Sequence, residues 1–192
     1  MGIKSVDPGR FTGECGGFVC AVMVMVMGCT DRADEPRAVE TASLAVAESF
    51  IDAFYSWDSH ALAQALHAPG DVERVLYYQE WARAASYTVR IRRPCIMLTS
   101  NEITCRITVT DDFGKTLGYT ATDTFRLVLR DAVIVGVEFE GDDPPVFDEL
   151  FAWIVVQHPD VMSGPCKDLF AGGKTPAACA RAVVFAAQEF VK

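Results

Sequence analysis

Four cysteines in the body of the chain are the residues whose type and spacing point most directly to chemistry. They are Cys95, Cys105, Cys166 and Cys179, and an even number of cysteines in an exported chain indicates two disulfides. Of the three possible pairings we expect Cys95–Cys105 and Cys166–Cys179, because each pair lies within one local motif. In a cytosolic protein the same residues would be reduced core cysteines. A zinc site is a poorer alternative, since no C-x-x-C spacing occurs.

The N-terminal residues have the features of an export signal. The apolar run over residues 18–27 would make roughly 15 Å of helix, about half of a bilayer core, which is too short to span a membrane and fits a signal peptide. The run ends in VMGC (residues 26–29), which resembles the bacterial lipobox, whose cysteine receives a lipid. We therefore expect a signal peptide over residues 1–28, lipidation of Cys29, a polar tether over residues 29–37 and export to an extracytoplasmic membrane surface. The alternatives are an uncleaved anchor and a cytosolic protein with an apolar start.

The composition excludes some classes of function. Hydrophobic residues make up 51% of the 192, enough for a packed core, and the formal net charge is −9. An acidic chain is poorly suited to nucleic acid, because contacts to phosphates need a basic face. The three histidines lie far apart in the sequence, so we expect neither a metal site nor a cofactor.

The spacing of apolar residues predicts an α+β fold with helices first and strands afterwards. Helical spacing covers residues 38–57, 59–67 and 72–86, with a break at 69–70 and with Asp71 as the expected cap of the third helix. Runs rich in Val, Ile, Thr, Tyr and Phe predict antiparallel strands over residues 87–98, 102–110, 118–129 and 133–140, with turns at 100–101, 111–115 and 130–131. Helical spacing returns over residues 147–158 and 175–191, so residues 142–192 are expected to form a C-terminal helical extension.

This order of elements, together with two strand segments, resembles the NTF2-like superfamily, which includes the SnoaL-like and ketosteroid-isomerase-like proteins. NEITCRITV (residues 101–109) is similar to a family strand entered through an Asn-Glu turn, and ATDTFRL (residues 121–127) is similar to the family's D-x-F-x-F strand. The resemblance covers residues 38–141. It implies a cone in which a curved antiparallel sheet wraps three N-terminal helices and leaves an apolar pocket.

The resemblance also implies a candidate catalytic residue. Asp123 matches the position where ketosteroid isomerases hold a protonated aspartate as a hydrogen-bond donor. Phe50 stands where the family has a tyrosine donor, and the segment that carries the general base is shortened to residues 68–71, where Asp71 equally serves as a helix cap. Because this catalytic set is incomplete, we expect a non-catalytic module that binds a small molecule or a protein. The alternative is an isomerase, cyclase or dehydratase that uses Asp123 on a small apolar substrate.

Several of these features have two interpretations. Asp123 could be an acid in an apolar pocket, or a carboxylate satisfied by strand amides or by an arginine, for which the candidates are Arg90, Arg92 and Arg106. A group of aromatic residues could line a pocket for an apolar ligand or could belong to the core: Tyr55, Trp57, Tyr77, Tyr78 and Trp81. The C-terminal helices could cover the mouth of the cone, or pack on the sheet face through which related proteins form homodimers. A structural subunit paired through its sheet is therefore a third possibility.

Overall fold

The computed structural model describes residues 34–169 and 176–192, so the predicted signal peptide and Cys29 lie outside the described residues. Those residues form a mixed fold of helices and antiparallel sheet, as the sequence predicts. The helices are α1 (Asp34–Tyr55), α2 (Ser59–Ala65), α3 (Pro69–Ala84), α4 (Asp112–Leu117), α5 (Pro145–Gln157), α6 (Pro159–Ser163) and α7 (Pro176–Phe190). The strands are β1 (Thr88–Arg92), β2 (Ile96–Thr99), β3 (Glu102–Thr110), β4 (Ala121–Arg130) and β5 (Val133–Gly141).

The sheet has the order β1-β3-β4-β5, and every pairing is antiparallel. β2 pairs with the same edge of β3 that β1 uses, so two short strands occupy the place of the single strand predicted over residues 87–98. Pro94 lies between them, and proline lacks the N–H that a strand ladder requires. The interruption is therefore a direct consequence of the sequence.

Helices α1, α2 and α3 pack on one face of the sheet through the main apolar core. In α1, Phe50 and Phe54 follow helical spacing, and both pack edge-on against Phe125 of β4, with ring centroids 5.9 and 5.0 Å away. β4 alternates as a half-buried strand must, with Leu127 buried on the helix side and Arg126 exposed on the other.

The C-terminal helices form a second apolar core with α3 and α4. Trp81 of α3, Phe113 of α4, Leu150 of α5 and Val183 of α7 are all buried in it. The extension therefore packs on α3, which precedes the strands, and on α4, which lies between β3 and β4.

Both expected disulfides are present, so the predicted pairing is confirmed. Cys95 directly precedes β2, whose Ile96 pairs with Thr104; the register therefore places Cys95 opposite Cys105, with Cα atoms 4.3 Å apart. In the extension, Cys179 in the first turn of α7 is bonded to Cys166 in the segment after α6, with Cα atoms 4.6 Å apart.

The start of α3 differs from the prediction. The helix begins at Pro69, a residue expected to break it, because proline is well tolerated at the first helical position, where no intrahelical N–H bond is lost. Asp71 is consequently not the cap. It lies in the first turn, where its Oδ1 accepts from Arg74 Nη2 at 2.7 Å.

The segment predicted as a turn over residues 111–115 contains the short helix α4. Asp111 is its N-cap, and the Asp111 Oδ1 accepts from the Gly114 N–H at 2.5 Å. A Cβ atom at Gly114 would lie 2.8 Å from that oxygen, so this close approach requires glycine. Turn chemistry and helix capping use the same residue types, which explains why the sequence pattern did not distinguish them.

Candidate functional site

Asp123 is a charged side chain that β4 directs into the fold. The alternation of the strand places it on the helix side, two residues before Phe125, and only 2% of it is exposed. Its cross-strand neighbours are Ile107 of β3 and Gly141 of β5. Because Gly141 has no side chain, β5 leaves space beside the carboxylate.

The hydrogen-bond donor to Asp123 is the hydroxyl of Tyr55, which lies 2.5 Å from Oδ2. Tyr55 is the last residue of α1 and follows buried Ile51 by four positions, so both project from the same helix face. The resemblance placed a donor position at Phe50, whose ring is fully buried in the core. A tyrosine hydroxyl does lie beside Asp123, and it comes from Tyr55 at the end of the helix.

The arginines considered as partners for this carboxylate lie elsewhere. Arg92 Nη2 is 2.5 Å from Oε2 of Glu48 and 3.0 Å from Oδ1 of Asp52, both on α1. Arg90 and Arg106 are exposed. The interpretation of the carboxylate as half of an arginine ion pair is therefore wrong.

A partly enclosed cavity of about 80 Å³ borders Asp123. Six aromatic side chains form most of its wall: Phe54, Tyr78, Trp81, Tyr87, Phe139 and Phe147. Ala82, Gly141, Asp123 and Asp143 complete the lining. An apolar cavity of about 150 Å³ accommodates the six carbon atoms of benzene, so this one suits a group of roughly three non-hydrogen atoms.

The aromatic residues singled out in the sequence are distributed unevenly around this cavity. Tyr78 and Trp81 of α3 belong to its lining, and Tyr55 is linked to it through Asp123. Trp57 lies in the turn after α1, packs against the main core and is not among the lining residues.

Sequence reasoning missed Tyr87 and Phe147 as lining residues. The strand predicted over residues 87–98 includes Tyr87, but this residue lies in the segment between α3 and β1, one residue before the strand begins, so strand alternation does not assign its direction. Phe147 belongs to α5, in the extension that the resemblance does not cover. A cavity formed where two cores meet is set by tertiary packing, which no local pattern encodes.

Burial raises the pKa of Asp123 to about 7, while the hydrogen bond from Tyr55 acts in the opposite direction. The carboxylates of Asp143 and Asp111 add to the upward shift in the pKa of Asp123. Burial and the neighbouring Asp123 also raise the pKa of Tyr55 well above its ordinary value, so its hydroxyl stays protonated and remains a donor. Asp123 can therefore donate a hydrogen bond below neutral pH and accept one above it.

The surroundings of the cavity are electronegative. Burial raises the pKa of Asp111 to about 7 in spite of the bond from Gly114, and burial together with Asp142 raises the pKa of Asp143. No lysine, arginine or histidine is among the residues that line the cavity. Nearby, the hydroxyl of Tyr119 is buried and has no hydrogen-bond partner within the described part of the chain.

Two larger concave surfaces are more open to solvent. A cleft of about 500 Å³ follows the edge of β5, with exposed charged residues in its wall: Arg74, Arg126, Glu138 and Glu140. A depression of about 390 Å³ lies between α1 and α2 and includes Ser49, Gln64 and His67. Neither contains a buried titratable group, so the smaller cavity beside Asp123 is the candidate site.

In residues 34–169 and 176–192 no group of three or more His, Cys, Asp or Glu side chains could hold a metal ion. The helices of those residues include none that is both long and apolar enough to cross a membrane. The chain matches no protein-family model, no curated protein and no solved structure. A functional assignment therefore rests on the residues and geometry described above.

Proposed function

We propose that this chain is an exported, lipid-anchored protein with an NTF2-like cone that binds a small molecule in the aromatic cavity. The binding function rests on one observation: a carboxylate that is 2% exposed, Asp123, is held by Tyr55 at the border of a cavity with aromatic walls. Placing a carboxylate in apolar surroundings is unfavourable for folding. Apolar cavities with a few placed polar groups are the usual form of ligand sites, in which the polar group orients the ligand.

The cysteines support a location outside the cytoplasm. The VMGC segment that ends at Cys29 supplies the lipid anchor, and the disulfides Cys95–Cys105 and Cys166–Cys179 suit an oxidising compartment outside the cytoplasm. The NTF2-like relationship is supported by three helices packed on one face of an antiparallel sheet within residues 34–141.

An enzymatic role is the second candidate, and the pKa of Asp123 near 7 favours it. A carboxyl group that exchanges its proton near neutral pH can act as a general acid or as a donor to a developing oxyanion. Asp143 is a second carboxylate in the lining and lies exposed at the mouth. An isomerase, cyclase or dehydratase acting on a small apolar substrate fits this arrangement.

Native mass spectrometry tests occupancy of the cavity. The protein is exported to a periplasm and purified without reductant, and we expect a co-purified small molecule that is lost in Asp123→Asn. The matched control is Asp111→Asn, which removes a buried carboxyl that does not line the cavity and should retain the added mass. An unmodified mass together with no hit in a screen of small molecules would overturn the binding function.

Asp123→Asn also distinguishes a binding module from an enzyme. Asparagine at position 123 can still accept from Tyr55, but it cannot transfer a proton. Loss of turnover with ligand affinity retained would establish the enzyme. Reduced affinity, with no conversion of the ligand by the unaltered protein, is the result expected for the binding module.

Membrane attachment is tested by Cys29→Ala. Lipidation requires the cysteine sulfur, so we expect the variant to move from the membrane fraction to the soluble fraction, while Cys20→Ala should stay with membranes. Continued membrane retention of Cys29→Ala would refute the lipid anchor.

A further inference from the structure

We propose that the cavity is a site for a small organic cation, a primary or methylated ammonium group; this inference rests on the binding function proposed above. It follows from the side chains in the wall. Six of the ten lining residues are aromatic, two are carboxylates, and none is cationic.

The aromatic wall is continuous along one side of the cavity. Tyr78 of α3 packs against Phe139 of β5 with ring centroids 4.9 Å apart, and Phe139 packs against Phe54 of α1 at 6.5 Å. The electron-rich faces of such rings attract a cation, and the attraction grows when water is excluded. An aromatic enclosure next to a carboxylate is the arrangement that ammonium groups prefer.

The charges around the cavity exclude an anionic ligand. Asp123 and Asp143 belong to the wall, and Asp111 lies close enough to raise the pKa of Asp123. The positive charge of Arg92 lowers the pKa of Tyr55, but its guanidinium group is already paired with two carboxylates of α1. A cation would supply the countercharge that the ionised form of Asp123 lacks, because an unpaired charge in apolar surroundings is strongly unfavourable.

The size of the cavity limits the buried part of the ligand. At about 80 Å³ it holds roughly three non-hydrogen atoms, so isopropylammonium and tetramethylammonium would bury the ammonium group with part of their carbon atoms and leave the rest at the open side of the cavity. A larger molecule would bury its ammonium group beside Asp123 and extend past Asp143, which is exposed.

The affinity of the cavity for a cation should increase as the pH rises. The ligand needs the ionised form of Asp123, so affinity rises with pH through about 7, by about tenfold between pH 6 and pH 8. The groups facing this carboxylate come from several elements: Tyr55 from α1, Tyr87 before β1, Asp111 before α4, and Asp142 and Asp143 after β5. The tyrosines keep their protons in this range, and the raised pKa values of Asp111 and Asp143 act in the same direction as that of Asp123.

The experiment compares charged and neutral probes of one size. Isopropylammonium and tetramethylammonium are titrated against isopropanol and tert-butanol by calorimetry at pH 6 and pH 8, using the exported protein purified without reductant. The indole NMR signal of Trp81, assigned with Trp81→Phe, reports whether a probe enters the cavity. We expect the ammonium probes to bind at least tenfold more tightly than the alcohols at pH 8, and to release a proton from the protein on binding at pH 6.

Two variants complete the test. Asp123→Asn should abolish the preference for the charged probes, whereas the matched control Asp111→Asn should keep the preference and move the pH dependence to lower pH, because the carboxylate of Asp111 no longer raises the pKa of Asp123. Tyr78→Leu should weaken tetramethylammonium about 3- to 30-fold and leave tert-butanol nearly unchanged, because only the cation uses the ring. Alcohols that bind as tightly as the ammonium probes would overturn the cation site and leave the binding function standing. Absence of every probe from the cavity would overturn both.

Discussion

The carboxyl group of Asp123 couples folding to pH in a direction opposite to that of most carboxylates. In the unfolded chain it ionises near its ordinary pKa of 3.8, whereas in the folded chain its pKa is about 7. Between these values the unfolded state has lost the proton and the folded state has kept it, so the contribution of Asp123 to stability decreases as pH rises from about 4 to about 7. Asp123 therefore destabilises the folded protein most at neutral and alkaline pH, where its carboxyl group is ionised.

Asp123→Asn should therefore stabilise the fold at pH 8. We expect the free energy of unfolding to increase by about 2 to 4 kcal/mol relative to the parent protein at pH 8, and to change little at pH 4. Urea unfolding with both disulfides intact measures the difference at each pH. Equal effects at the two pH values would show that Asp123 has an ordinary pKa in the folded state.

Tyr55→Phe removes the hydroxyl that donates to Asp123 and leaves the aromatic ring in place. We expect the pKa of Asp123 to rise above about 7, and the protein to lose about 1 to 3 kcal/mol of stability at pH 8, where the carboxylate is left without its donor. The carboxyl carbon of Asp123 in a pH-resolved NMR titration reports the first effect. Tyr119→Phe is the matched control, since its buried hydroxyl has no partner in the described residues and its removal should be neutral or stabilising.

At the scale of elements, local chemistry predicted much of the fold. The predicted strands over 102–110 and 133–140 coincide closely with β3 and β5, because alternation and β-branched composition agree there. Two of the deviations occur where one residue type serves two purposes. Pro69 begins α3 where a break was expected, and Asp111 caps α4 where a turn was expected.

The candidate site was predictable only in part. Asp123 was identifiable because its strand segment resembles a known one, and Tyr78 and Trp81 because they follow helical spacing. The pairing of Tyr55 with Asp123 depends on how the end of α1 meets β4, 68 positions away in the sequence. No local pattern specifies a contact of that range.

The disulfide between Cys166 and Cys179 fixes the start of α7 to the segment after α6. Replacing both residues by alanine should lower the free energy of unfolding by about 3 kcal/mol, the value expected for a loop of this length. Ligand affinity should decrease as well, since α7 packs against α5, which contributes Phe147 to the cavity. The matched pair of substitutions at Cys95 and Cys105 should lower stability similarly without changing affinity. Unchanged stability in both double variants would contradict the loop-entropy argument.

At the scale of the whole molecule, the sheet face opposite the helices exposes apolar side chains. Ile91, Ile96, Leu98 and Val128 are 49%, 57%, 48% and 37% exposed, respectively. Surface patches of this kind are typical of protein interfaces. We therefore expect a homodimer paired through this face.

Leu98→Glu tests the dimer by placing a charge in the expected interface. Sedimentation should show a dimer for the parent protein and a monomer for the variant. Val155→Glu changes an equally exposed valine on α5, 55% exposed, and should leave the dimer intact. A parent protein that sediments as a monomer at high concentration would remove the basis for sheet pairing.

The residues that line the cavity come from two parts of the chain, because Phe147 belongs to α5. The polar anchor, Asp123 with Tyr55, belongs to the helix-and-sheet unit, whereas Phe147 belongs to the C-terminal helices. The polar group of the site and one of its six aromatic lining residues therefore come from separate stretches of sequence. Exchange of the C-terminal helices, or mutation of position 147 alone, could change the shape of the cavity while Asp123 and Tyr55 stay the same. Selection or protein engineering could use this route to diversify the ligands of the site.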